Sequence, residues 1–468
     1  MTSFAELLAH AESLAATLTE LGVRQGDRIA LVLSKTTEAI ISVFASLLSG
    51  AIYVPIQPRW PIERIEAILE DCTPRVVITV PDGLARITDR NNGKTIGWNE
   101  VVASRPDAYS TRDVRPENPA VILFTSGSTG QPKGVVLSHD AVGAFVKWTA
   151  RQFRISSEDR IAVPSPLGFD LSTFDIFNMA LRGATCVLVP DHIVWMPRFL
   201  VDFVRKERIT CWYSVPSILA GMLRDGGFSD LANPDLRLVL FAGEVFASSN
   251  VAWLQAANPQ AVCANLYGPT ETNVVTWHRV PSGFNPSGIL PIGGHCPYAE
   301  VMLDTSCGEL LAGGESTMIG YWNRPDETAR AFVIVEGKRY YRTGDHASVD
   351  ASGNYTFLGR LDRQVKRRGF RIELGEIEAA MVRHDAVMEA AAVAWDKPNL
   401  GATIAVFVRV RSAESFTLID AKAHCARFLP SYMLPDYILF VDKIPRGNRG
   451  KIDYAALKGA AEARQDGD

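Results

Sequence analysis

Residues 125–134 read TSGSTGQPKG and follow the apolar run Ala120-Val121-Ile122-Leu123-Phe124. Glycine lets backbone N–H groups approach an anion closely, and successive N–H groups can form a nest for phosphate oxygens. Ser126, Ser128 and Thr129 add hydroxyl donors next to Gly127 and Gly130, Thr125 opens the stretch, and Lys133 adds positive charge. The spacing differs from a Walker A box, because no Ser or Thr follows the lysine. On its own the loop implies a phosphate site, with a solvated surface loop as the ordinary alternative. Five further polar groups recur downstream: FAGE at 241–244, NLYGPTET at 265–272, YRTGD at 341–345, GRLDRQVKRRGFRIELGEIE at 359–378, and Gly450-Lys451. None of them identifies a reaction by itself.

The elements that must carry these groups alternate. Residues 28–33, 75–80, 160–163, 186–189, 209–213 and 236–241 read as apolar strands, and 37–48 and the stretch after Pro61 as helices. A helix should follow the glycine-rich loop, capped by Ser138 or Asp140. Apolar strands separated by helices imply parallel sheets covered on both faces. After about Gly288 short strands and turns dominate, including a hairpin turn at 350–353. Beyond Asp362 the pattern predicts helices at 373–383 and 418–428 and strands at 403–410 and 437–441. The expected fold is α/β: a large N-terminal domain over 1–361 of mostly parallel sheets with helices plus a β-rich part, and a small α+β domain over 362–468.

Bulk properties narrow the class. A chain of 468 residues suits two or three domains, and 47% hydrophobic residues can fill a large core. A net charge of −4 argues against a general nucleic-acid binder. Seven scattered cysteines without a C-x-x-C pair imply reduced thiols in a cytoplasmic protein, with neither a disulfide framework nor a zinc site. Eight histidines without H-E-x-x-H make a histidine-held metal a poor expectation. The amphipathic start is no signal peptide, and no apolar run reaches membrane-spanning length.

In order and spacing the six motifs together resemble the adenylate-forming superfamily, and within it the amino-acid adenylation enzymes of nonribosomal peptide synthesis. The resemblance runs from about Phe4 to Leu457. It implies attack of a carboxylate on the α-phosphorus of ATP, which brings two anions together and needs charge neutralised. It assigns the loop from Thr125 to Lys133 to the β- and γ-phosphates, Thr270 to phosphate and Glu271 to Mg²⁺. Tyr267 looks like the ring that stacks on adenine, beside Asn265, Gly268 and the Gly243-Glu244 backbone. Asp345 resembles the carboxylate that accepts the ribose hydroxyls, and Arg360 a second ribose contact; a turn-capping Asp345 is the plain alternative. Lys451 resembles the lysine of a mobile small domain that bridges substrate carboxylate and α-phosphate, and Asp362 the hinge between its adenylating and thioester-forming arrangements. Arg363, Lys366, Arg367, Arg368 and Arg371 form a basic stretch that suits an acidic carrier protein or, equally, a solvated edge strand.

Asp170 falls where the family places the carboxylate that pairs with the substrate amine, which argues for an amino acid over a fatty acyl group; the alternative is an Asp capping the next helix. The remaining pocket positions are Leu171, Phe174, Tyr213, Leu240, Ala242, Leu266, Val274 and Val275. They offer an apolar surface with one hydroxyl and imply a modest apolar amino acid. The set resembles that of free-standing L-prolyl-carrier-protein ligases, which load proline for later oxidation to a pyrrole. No carrier domain follows Lys451, so the phosphopantetheine thiol is expected on a separate carrier protein. Against the family pattern, a segment before Ser3 is missing and the stretch from Asp304 to Gly308 is short. A D-alanine-carrier protein ligase, an acyl- or aryl-CoA synthetase and a non-catalytic nucleotide-binding homologue remain as alternatives.

Overall fold

The structure is a computed structural model that describes residues 1–80, 94–98, 112–127, 130–228, 235–284, 286, 288–397, 401–411, 416–447 and 451–465. The chain divides into two compact units. The first comprises Met1–Pro58, Leu69–Phe124 and Gly134–Leu361; the second comprises Arg59–Ile68, Thr125–Lys133 and Asp362–Asp468.

The chain opens with α1 (Phe4–Glu20), β1 (Arg28–Val32), α2 (Thr37–Leu48), β2 (Ile52–Ile56), α3 (Ile62–Cys72), β3 (Val76–Thr79), β4 (Lys94–Gly97), β5 (Pro119–Thr125), β6 (Lys133–Ser138) and α4 (His139–Gln152). Helix α1 starts at a reciprocal capping box between Ser3 and Glu6, and Ser138 caps α4 by accepting from the Ala141 N–H. Next come β7 (Arg160–Val163), α5 (Leu171–Arg182), β8 (Thr185–Leu188), α6 (Pro197–Lys206), β9 (Cys211–Ser214), α7 (Pro216–Asp225), β10 (Leu238–Ala242), α8 (Ser248–Ala257) and β11 (Val262–Tyr267). They are followed by β12 (Thr276–Arg279), β13 (Gly294–His295), β14 (Ala299–Asp304), β15 (Glu309–Gly314), β16 (Gly320–Tyr321), α9 (Pro325–Ala331), β17 (Phe332–Val335), β18 (Lys338–Val349) and β19 (Tyr355–Arg360).

Two large sheets result, in the orders β16-β6-β5-β2-β1-β3-β4 and β13-β12-β11-β10-β9-β7-β8. Their centres are parallel, as β1 with β2 and β3, and β10 with β9 and β11. Strands buried on both faces must be apolar throughout, which is why IYVPI, VVIT and LVLFA are buried at every position. A third, antiparallel sheet joins β14, β15, β18 and β17, with β19 on β18. One continuous apolar core runs through this unit.

The second unit adds β20 (Gln364–Arg367), β21 (Phe370–Glu373), α10 (Leu374–Val382), β22 (Val387–Lys397), β23 (Gly401–Val410), α11 (Leu418–Phe428), β24 (Tyr437–Phe440) and α12 (Tyr454–Gln465). Strands β22, β23 and β24 form its sheet, with a core of its own around Ile377, Val406 and Cys425. The basic stretch is a β20–β21 hairpin whose arginines are partly engaged. Arg363 meets Glu378 and Arg367 meets Asp436, both at 2.6 Å.

Two elements differ from the sequence reading. Lys133 is the first residue of β6, so the glycine-rich loop ends earlier than its composition implies. Strand β22 (VMEAAAVAWDK) was not expected, because alanine and glutamate favour helix locally; ten residue pairs with β23 override that preference.

Asp159 ties three parallel strands together at their N-terminal ends. Its carboxylate accepts from Thr210 Oγ1 at 2.7 Å, from Ser156 N at 2.9 Å and from Arg237 at 2.5 and 2.7 Å, just before β7, β9 and β10 begin. Burial would raise its pKa, but the hydrogen bonds from Arg237, Ser156 and Thr210 outweigh it and hold the carboxyl below its ordinary value. The stabilisation is therefore present above the unfolded-state pKa and is lost as pH falls through the lower folded value. Asp159→Ala should destabilise the chain by about 3 kcal/mol, read by denaturant unfolding at neutral pH. The difference from wild type should shrink in acid.

Candidate active site

The candidate substrate residues of the first unit lie toward the ends of β9, β10 and β11 and on the elements beside them. In an open parallel sheet, ligands bind outside the carboxyl ends of strands. Register places the pocket residues side by side: Leu240 opposite Tyr213, and Ala242 opposite Leu266. Leu240 and Ala242 are two residues apart, so all four share one face of the sheet. Leu171 and Phe174 are three apart on α5 and share a helix face. The Phe174 ring meets Tyr213 edge-on, with centroids 5.4 Å apart. Val274 and Val275 complete the set from the turn after β11, where the Val275 N–H bonds the Tyr267 carbonyl at 2.8 Å. All eight are buried.

Asp170 occupies the N-cap position of α5 with helical backbone angles, and its side chain makes no capping hydrogen bond. Its carbonyl instead accepts from the Thr173 N–H at 3.0 Å. The capping alternative is thereby set aside. Asp170 is half-buried, and its charge acts on the Tyr213 phenol. Burial first, then Asp170 and Asp175, push the Tyr213 pKa well above the ordinary value, so this hydroxyl stays protonated and can donate. Beneath it Asp175 is fully buried, and burial raises its pKa strongly against the opposing charge of Lys35. Lys35 donates to the Pro164 carbonyl at 2.7 Å, and burial lowers its pKa to about 8. Neither residue was singled out in the sequence, because each looks like an ordinary surface charge there.

A second cluster joins three of the expected nucleotide residues. Tyr267 OH donates to Asp345 Oδ2 at 2.5 Å, and Arg360 Nη1 bonds Asp345 Oδ1 at 2.6 Å and the Thr343 carbonyl at 2.8 Å. Asp345 is 1% exposed and sits within β18 directly opposite Arg360 of β19. The carboxylate is thus a strand residue held between a phenol and a guanidinium, and the Thr-Gly-Asp turn imagined for it is absent. Burial, with Asp345 beside it, keeps Tyr267 neutral. Asn265 donates to the Pro291 carbonyl at 2.9 Å, and Glu244 accepts from the Ser217 N–H at 3.0 Å at the start of α7. Gly243 adopts φ +93°, which other residues avoid. Gly268 admits no side chain, since a Cβ there would lie 1.6 Å from the Asn273 carbonyl oxygen. Thr270 is half-buried and Glu271 fully buried. Tyr321 OH donates to Glu271 Oε1 at 2.7 Å, a contact that sequence alone did not bring to light.

The second unit holds the other expected residues. Thr125 ends β5 with a buried hydroxyl that has no hydrogen-bond partner, an orphaned donor suited to a phosphate oxygen. Ser126, Gly127 and Gly130 follow, and Lys133 is buried. Ser128, Thr129 and Gly450 lie outside the described residues. Asp362 opens the C-terminal segment of this unit and accepts from the Gln364 N–H at 3.0 Å. Lys451 is exposed, and its carbonyl accepts from the Gly447 N–H at 2.9 Å. Among the described residues no helix is long and apolar enough to cross a membrane.

Residues 1–322 match the AMP-binding enzyme family, and residues 376–451 match the AMP-binding enzyme C-terminal domain. The chain belongs to the AMP-binding enzyme family. An L-proline--[L-prolyl-carrier protein] ligase of Pseudomonas fluorescens is 37% identical over 94% of this chain and 91% of its own. A protein of the same name from Streptomyces coelicolor is 34% identical over 97% and 91%. The crystal structure of the Vibrio cholerae adenylation domain AlmE in complex with glycyl-adenosine-5'-phosphate superposes with a TM-score of 0.83. It is 25% identical and covers 98% of this chain and 92% of its own.

The pairing around Asp345 can be tested without substrate. Arg360→Met leaves a buried carboxylate without its cation and should cost about 3 kcal/mol in denaturant unfolding. Tyr267→Phe removes one charge-assisted hydrogen bond and should cost about 1.5 kcal/mol. Equal, negligible losses would contradict this description of the cluster.

Proposed function

We propose that the protein activates L-proline with ATP and transfers the prolyl group to the phosphopantetheine thiol of a separate carrier protein. The observation that carries this reading is Asp170, a half-buried carboxylate not spent on capping α5, beside a pocket otherwise lined by apolar groups and the Tyr213 hydroxyl. A carboxylate there complements the ammonium of an amino acid, which a fatty acid or aryl acid lacks. The buried rings of Phe174 and Tyr213 fill space, which favours a compact side chain, and provide no partner for a charged one. The names of the two most similar relatives described above support proline and a carrier protein.

In the first step a carboxylate oxygen of proline attacks the α-phosphorus, and the bond to the bridging oxygen breaks to release pyrophosphate. Asp170 holds the amine and so aims the carboxylate. Tyr267 presents its ring to adenine, while Asp345, braced by Arg360, accepts from the ribose hydroxyls. Thr125, Lys133 and Thr270 take phosphate oxygens. Glu271 fits Mg²⁺, which is held by one or two carboxylates together with substrate phosphates and would neutralise charge on them. Lys451 bridges the substrate carboxylate and the α-phosphate, and rotation about Asp362 withdraws it before the thiol attacks the prolyl carbonyl and AMP departs. The free thiols of all seven cysteines support a cytoplasmic location.

Amino-acid-dependent ATP–pyrophosphate exchange tests the reading. Proline should support exchange well above other amino acids and above cyclopentanecarboxylate. Exchange with D-alanine but not proline would replace the substrate assignment, and no exchange with any acid would remove the activity. Lys451→Ala should slow adenylation about 100-fold or more while transfer from pre-formed prolyl-adenylate changes little. Equal losses in both steps would contradict the separate use of this lysine.

A further inference from the structure

Glu271 sits on the turn after β11, and its setting is built by a different part of the chain. Its Oε1 accepts from Tyr321 OH at 2.7 Å, and Tyr321 OH lies 3.3 Å from Tyr341 OH. The backbone carbonyl of Glu271 accepts from the Met318 N–H at 2.7 Å. Glu271, Tyr321 and Tyr341 are all buried.

Tyr321 is itself held on several sides. It belongs to β16, where it pairs with Val135 of β6, flanked by Ile319 N–H to Val136 O at 2.9 Å and Trp322 N–H to Gly134 O at 2.8 Å. Its own N–H donates to Thr328 Oγ1 at 2.9 Å, at the first turns of α9. Gly320 allows that approach, because a Cβ there would come within 2.7 Å of Thr328 Cγ2. The tyrosine hydroxyl therefore has a fixed origin in one sheet while its partner carboxylate follows a strand of the other.

A terminal carboxylate torsion is broad and soft. Binding one oxygen to a rigid donor fixes the carboxylate plane. Outer-shell donors of this kind orient metal-ligating carboxylates and set metal affinity. We infer that Tyr321 is a positioning residue for the Mg²⁺ site: it orients the Glu271 carboxylate from the β16–β6 pairing. This rests on the reading of Glu271 as the Mg²⁺ carboxylate. Tyr321 would touch neither ATP nor the metal.

The test is equilibrium binding of ATP to the full chain across a Mg²⁺ titration, without amino acid, so that no turnover occurs. Tyr321→Phe should raise the Mg²⁺ midpoint about tenfold. ATP affinity in EDTA should stay at its wild-type value, which a general loss of the nucleotide site would not allow, while the melting temperature in EDTA should fall only by the loss of one buried hydrogen bond, as for Tyr267→Phe. Glu271→Gln should raise the midpoint at least as much. Tyr341→Phe leaves the Glu271 contact in place and should move the midpoint by about twofold or less. If Glu271→Gln shifts the midpoint and Tyr321→Phe does not, the positioning role falls while the Glu271 assignment stands. If Glu271→Gln itself has no effect, both fall. A Tyr341→Phe shift as large as that of Tyr321→Phe would assign the effect to packing and overturn the proposal.

Discussion

Repulsion between a substrate carboxylate and a triphosphate is the constraint around which this molecule is arranged. Two anions must be held within bonding distance, so each protein carboxylate near them has to be neutralised or directed. Asp345 is braced by Arg360 and Tyr267 within the β18–β19 pair. Glu271 is held by Tyr321. Asp170 stands at the start of α5 without a capping hydrogen bond, where the proposed substrate ammonium would meet it. In the proposed reaction each carboxylate thus has a different partner type: guanidinium and phenol for Asp345, phenol and metal for Glu271, and the substrate ammonium for Asp170.

The parallel sheet makes these placements possible. Strands β9, β10 and β11 run in the same direction and end together, so residues far apart in sequence come to a single edge. Their opposite ends are tied by Asp159 through Thr210 and Arg237. A slip of one residue in β10 would turn Leu240 and Ala242 to the other face, away from the proposed acid pocket. Stability at the Asp159 end and the proposed specificity at the other end therefore depend on the same register.

Much of this was legible in the sequence because the chemistry is concentrated in short motifs with distinctive residues. Asn265, Tyr267 and Glu271 lie within seven positions of one another, and Asp345 and Arg360 fall on adjacent strands joined by a hairpin that the turn at 350–353 announces. The helix expected at 418–428 is α11 to the residue, and Thr417 and Asp420 form a capping box at its start. What escaped depends on contacts between distant segments. Tyr321 reads as one more aromatic in a turn until β16 pairs with β6 and turns it to Glu271. Lys35 and Asp175 look like surface charges until packing encloses them. Strand β22 is helical by composition and extended only because β23 lies beside it.

The central claim is that Asp170 recognises the amine of an amino acid bound as its adenylate. It is tested most directly by calorimetric binding of two stable sulfamoyl-adenosine analogues, one carrying prolyl and one carrying cyclopentanecarbonyl, to wild type and Asp170→Asn. The account predicts that wild type prefers the prolyl analogue by roughly 100-fold, in line with the cost of an unpaired buried charge, and that Asp170→Asn loses most of that preference. The same preference in both proteins would contradict it.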